Sequence, residues 1–72
     1  MEIGPDAKPA IPALLKSLND LNDGTRQSSC LALGRIGPAA KEALPALRVA
    51  LNDSSANVRR SAQLAIDRIQ KD

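Results

Sequence analysis

Seventy-two residues, 43% of them apolar, with ten basic and eight acidic side chains and a net charge of +2, describe one small domain without the strong field of a nucleic-acid or membrane-surface binder. The chain holds no Phe, Tyr, Trp or His and a single Cys, which excludes an internal disulfide, aromatic stacking on bases, and the commonest general base and metal ligand near neutral pH. No apolar run approaches the roughly 18 residues of a membrane span, and a lone thiol suits a reducing compartment, so the expected location is cytoplasmic.

From its N-terminus the chain reads as one unit written twice. Ile3 to Asp20 falls on Ile36 to Asp53 without a gap, Thr25 to Ile36 falls on Val58 to Ile69, and 18 of the 39 comparable positions are identical. A period of this size marks a solenoid, whose units leave an apolar face bare until a neighbour covers it. In the first unit, about 3–36, Pro5 and Pro12 set a short helical turn at 5–9 and the start of a helix at about 10–19. The stripe of that helix is Ile11, Leu14, Leu15 and Leu18. Asn19-Asp20 end it, Asn22 caps a second helix at about 23–36, and Gly37-Pro38 stop that one. The second unit, about 37–70, repeats the plan. It has a turn at 38–42, a helix at about 43–52 with Leu44, Leu47 and Leu51, and a helix at about 56–70 with Val58, Ala62, Ala65, Ile66 and Ile69 behind a Ser55 cap. The fold class is therefore all-α, an α-α superhelix of two helix pairs with no strand.

The ends of the sequence differ. Where the first unit closes on Gly34 and Gly37-Pro38, the second carries Asp67 and Gln70-Lys71, the polar finish of a terminal repeat. Met1 to Pro5 matches the tail of a repeat, as if another preceded it. We expect either the last two repeats of a longer array or a small protein that self-associates, since two repeats with twelve alanines and no aromatic make a thin core.

Chemistry is nearly absent from the pattern. Cys30 lies mid-helix with no His or second Cys, which reads as a structural thiol, and Gly34-Arg35-Ile36-Gly37 reads as a helix stop, not as a nucleic-acid clamp. No catalytic, cofactor-binding or metal site is expected, and the chain is not expected to be an enzyme. On a helical wheel Arg60, Leu64 and Asp67 oppose the apolar stripe of their helix, as Gln27, Leu31 and Gly34 do in the first unit. With Arg35 and Arg68, all of these but Gly34 make the candidate partner-binding surface: two leucines at matching positions inside a polar rim.

The strings IGPAAKEALPALRVALND and VRRSAQLAIDRI resemble HEAT repeats of the short bacterial type, also called HEAT-like or phycobilisome-lyase-like repeats, over essentially the whole chain. The resemblance implies antiparallel helix pairs stacked in a right-handed superhelix, with the second helices lining the concave side. It also implies a ladder between repeats in which an Asp ending one helix meets an Arg opening another, here Asp20, Arg26, Asp53 and Arg59. Family members commonly carry a charge where Leu31 and Leu64 stand. The function it implies is a non-catalytic scaffold for a protein partner, with a homodimer or further repeats of a parent chain as the nearest candidates. Nucleic-acid binding and a place in a larger enzyme assembly, such as a chromophore lyase, are the alternatives. The modest charge counts against the first of these.

Overall fold

A computed structural model of the chain describes residues 10–70. Among these the elements in order are α1 (Ile11–Ser17), α2 (Asp23–Ile36), a 3-10 segment (Gly37–Ala43), α3 (Leu44–Ala50) and α4 (Ala56–Gln70), with no strand. The expected turn at 5–9, Ile3 and the two final residues lie outside the described range.

Local chemistry sets each boundary. Pro12 and Pro45 occupy the first turns of α1 and α3, where a missing N–H costs nothing. The two first helices are shorter than expected, because their final turns tighten. The amides of Asn19 and Asp20 reach back three residues to Lys16 and Ser17, and those of Asn52 and Asp53 to Val49 and Ala50. Asn22 caps α2 by accepting from the Thr25 amide at 3.1 Å, and the Ser55 hydroxyl accepts from the Val58 amide at 3.4 Å. At Gly37 φ is +75°, a conformation that a side chain would strain, and the chain turns there into the 3-10 segment, itself kinked at Ala40.

The core is a single cluster shared by both helix pairs: Ile11, Leu18, Cys30, Leu33 and Ile36 from the first, with Ala43, Leu47, Val58, Ala62, Ile66 and Ile69 from the second. Helices α2 and α4 make the principal contact, while α1 and α3 hardly touch. The closest approach falls at Gly34, where a β-carbon would stand 3.1 Å from the Ala65 Cα and 3.4 Å from its Cβ. Gly34 is thus not on the outward face with Gln27 and Leu31. It is a packing residue, and a β-carbon there would have to push the Ala65 backbone back by a few tenths of an ångström.

The apolar stripe of the first helix divides in the structure. Ile11 is 1% exposed, whereas Leu14 and Leu15 are half-buried. Ile11 and Leu18, two turns apart, belong to the shared core, where α1 packs chiefly on α2 and less on the 3-10 segment. The matched residues of the second unit behave in reverse. Leu44 and Leu51, equivalent to Ile11 and Leu18, are half-buried, whereas Leu47 and Ala50 are buried and their counterparts Leu14 and Ser17 are only half-buried.

Candidate protein-interaction surfaces

The same comparison across the 33-residue period, made for α2 and α4, separates the surface into three parts. Residues of α4 turned toward α2, namely Val58, Ser61 and Ala65, are buried, but Thr25, Ser28 and Ala32 at the matching places on α2 are not. They form the N-terminal end face. Residues of α2 turned toward α4, namely Cys30 and Gly34, are buried, while Gln63 and Asp67 at the matching places on α4 are exposed, and the buried Gly37 that follows α2 is matched by the exposed Gln70. Gln63, Asp67 and Gln70 form the C-terminal end face. Between the two ends runs the outer ridge of α2 and α4.

The ridge carries most of the sequence-derived candidates. Arg35, Arg60, Leu64 and Arg68 are exposed and Gln27 and Leu31 half-buried; Leu64 shows 42% of its surface. Leu31 is the more enclosed of the two leucines, so the pair is graded and not uniformly bare. Asp67 departs from the group. Its carboxylate accepts a hydrogen bond from Gln63 Nε2 at 3.0 Å, which draws it to the border between ridge and C-terminal end face.

The four residues of the expected ladder are not all joined. Arg26 makes a two-pronged ion pair with Asp53, Nε donating to Oδ2 at 2.8 Å and Nη2 to Oδ1 at 3.0 Å, and its Nη1 donates to the carbonyls of Asp20 and Leu21 at 2.7 and 3.1 Å. Asp53 also accepts from the Ser55 amide at 2.9 Å. The Arg26 guanidinium, helped by that amide, holds the Asp53 carboxyl below its usual range, and the Asp53 partnership raises Arg26 in turn. Arg59 repeats the carbonyl contacts of Arg26, its Nη1 donating to Asp53 and Ser54 at 2.7 and 3.1 Å. No carboxylate among the described residues meets it. Asp20 likewise repeats the amide contact of Asp53, its carboxylate accepting from the Asn22 N–H at 2.8 Å, but among the described residues no guanidinium bonds that carboxylate, Arg26 reaching only the Asp20 carbonyl.

Sequence reasoning passed over two exposed apolar side chains. Leu21, in the loop after α1, is 99% exposed and Val49 on α3 is 74% exposed, and both line a cleft of about 600 Å³ beside the Arg26–Asp53 pair. Leu21 has no counterpart one period later, where Ser54 stands, and Val49 replaces Lys16. The break in the repeat was the available signal. Cys30 is wholly buried, and burial pushes its thiol up to about 11, so it stays protonated near neutral pH and is no nucleophile there. None of the described helices is long and apolar enough to cross a membrane.

Stacked helix pairs of matching sequence, locked by a close-packed second helix, define an α-helical repeat protein. The family model of HEAT repeats matches residues 5–72, and the chain belongs to that family. HEAT repeats generally mediate protein–protein interactions and are generally non-catalytic. Comparison with curated proteins gave no match, and neither did comparison with solved structures.

Proposed function

We propose that this chain is a non-catalytic scaffold that binds a protein partner on the outer ridge of α2 and α4. The observation that carries the reading is Leu64, exposed one turn from both Arg60 and Arg68 on α4 and matched one period earlier by Leu31 on α2, where Arg35 is exposed one turn further on. A large apolar side chain inside a basic rim is the arrangement in which a buried anchor supplies affinity and the surrounding charges supply orientation. The enclosed, protonated Cys30 supports a role without covalent chemistry and fits the reducing cytoplasm.

The experiment is affinity capture from source cells with the wild-type chain and a Leu31→Glu/Leu64→Glu variant side by side, after circular dichroism has shown equal helicity. A protein held by the wild type and released by the variant is the expected result. Retention of that protein by both, or preferential retention of the wild type on heparin at physiological salt, overturns the reading and favours another face or a nucleic acid.

A further inference from the structure

The C-terminal end face keeps one half of the inter-repeat contact and has lost the other. In the first helix pair the half that α2 offers consists of the Arg26 guanidinium and a surface of small residues, Cys30 and Gly34, both buried, with Gly34 directly against Ala65 of α4. In the second pair the guanidinium is retained: Arg59 Nη1 is held by two carbonyl oxygens five and six residues upstream, at the distances found for Arg26. The packing surface is not retained. Gln63 stands for Cys30, Gln70 for Gly37, and Asp67 for the glycine whose place admits no β-carbon without a 3.1 Å contact to the opposing backbone. The Gln63–Asp67 hydrogen bond fixes this polar cover in place.

We infer that Arg59 is a receptor for a single carboxylate on a short, acidic segment of a protein partner, a site distinct from the α2/α4 ridge. Anchoring Nη1 on carbonyl oxygens restrains the planar fork of this exposed side chain, and neither Nε nor Nη2 meets a carboxylate among the described residues, so little side-chain freedom is lost when an oxygen pair arrives. The sister clamp on Arg26 shows what the Nε and Nη2 edge takes, an aspartate just past the end of a helix, gripped by both nitrogens. A whole repeat of this or another chain, stacked in the internal register, is refused by Asp67. The occupant is therefore smaller than a repeat, an aspartate in a turn that reaches the fork without laying a helix along α4. Asp53, the nearest acid in sequence, is unavailable to Arg59 because Arg26 holds both its oxygens.

The test follows the Nε–H resonances of Arg59 and Arg26 in ¹⁵N-labelled protein during titration with the blocked peptide Ala-Leu-Asn-Asp-Ser-Ser, the stretch that presents the aspartate to Arg26. Its counterpart with Asn in place of Asp serves as control. The expected result is a saturable shift of Arg59 with the Asp peptide only, while Arg26 stays still. Arg59→Lys, which keeps the charge but not the fork, should weaken binding about tenfold, and Lys16→Ala, on the exposed side of α1, should leave it unchanged. The inference is overturned by equal shifts with the Asn peptide, by undiminished binding to Arg59→Lys and Arg59→Ala, or by no saturable shift at all. It is also overturned if inorganic phosphate saturates Arg59 at lower concentration than the peptide, or if Arg59 shifts on concentrating the protein alone in a way that Asp20→Asn abolishes. Failure here leaves the ridge reading standing, because the ridge variants do not touch Arg59.

Discussion

At the scale of single residues the Arg26–Asp53 pair is the chain's most specific polar contact between the helix pairs. It joins α2 to the loop before α4, and both side chains are mostly covered, with 15% and 14% of their surface exposed. Removing Arg26 strands a half-buried carboxylate and frees two carbonyls, so Arg26→Ala should melt at a lower temperature than Arg60→Ala, whose side chain is exposed. The gap between the variants should depend on pH. Asp53 binds its proton less tightly when folded than when unfolded, so the pair's contribution is complete above the ordinary aspartate range, near pH 3.9, and is lost as pH falls through the lowered folded value. Thermal melts of both variants from neutral pH to about pH 2 check this. A gap that persists undiminished at the acid end would show that the pair's charge contributes nothing and that Arg26 acts through its carbonyl contacts alone.

At the scale of elements, register between α2 and α4 depends on a glycine in the middle of a helix. Gly34→Ala gains helix propensity but forces a methyl against Ala65, and the backbone atom in the way cannot rotate aside. We expect a net loss of about 1 to 3 kcal/mol, read from urea unfolding. A gain in stability would mean that α2 can roll away from α4. This residue also marks where the sequence was legible and where it was not. The helix order, the Asn22 and Ser55 caps and the break at Gly37 follow from local rules that the amino acids carry themselves. Which side of a helix meets which neighbour does not follow. Gly34 lay on the outward side of an idealised wheel and Ile11 on an apolar stripe with no stated neighbour, and only the packing of helices against one another assigns both to the interior. Within the candidate site, Leu31, Leu64 and the arginines were readable from period alone. The division of Arg59 from Arg26 was not, because identical residues in similar local frames differ only in whether a carboxylate of the described residues reaches them.

At the scale of the whole molecule, both end faces are more polar than the buried faces they correspond to. Ser17 and Thr25 stand on one end where Ala50 and Val58 stand inside, and Gln63, Asp67 and Gln70 stand on the other where Cys30, Gly34 and Gly37 stand inside. Burying such a face against a copy of itself would enclose hydroxyls, amides and a carboxylate, each costing about 1 to 3 kcal/mol if left without a partner. The apolar gain, at roughly 25 cal/mol per Å², has no large side chain to draw on among Gln63, Asp67 and Gln70, and at the other end the described residues offer Leu14 and Leu15, both already half-buried. The ridge is different, because Leu64 stands exposed and Leu31 partly so, with flexible arginine stems that can cover them from the side. Self-association of the 72-residue chain should therefore run ridge to ridge about a two-fold axis, with a melting temperature that rises with protein concentration. Sedimentation equilibrium at high micromolar concentration should find the dimer in the wild type and in Thr25→Arg on the end face, and only monomer in Leu64→Arg. Loss of the dimer in Thr25→Arg instead would place the contact on the N-terminal face, and a monomer throughout, with a melting temperature independent of concentration, would leave the ridge wholly to a foreign partner.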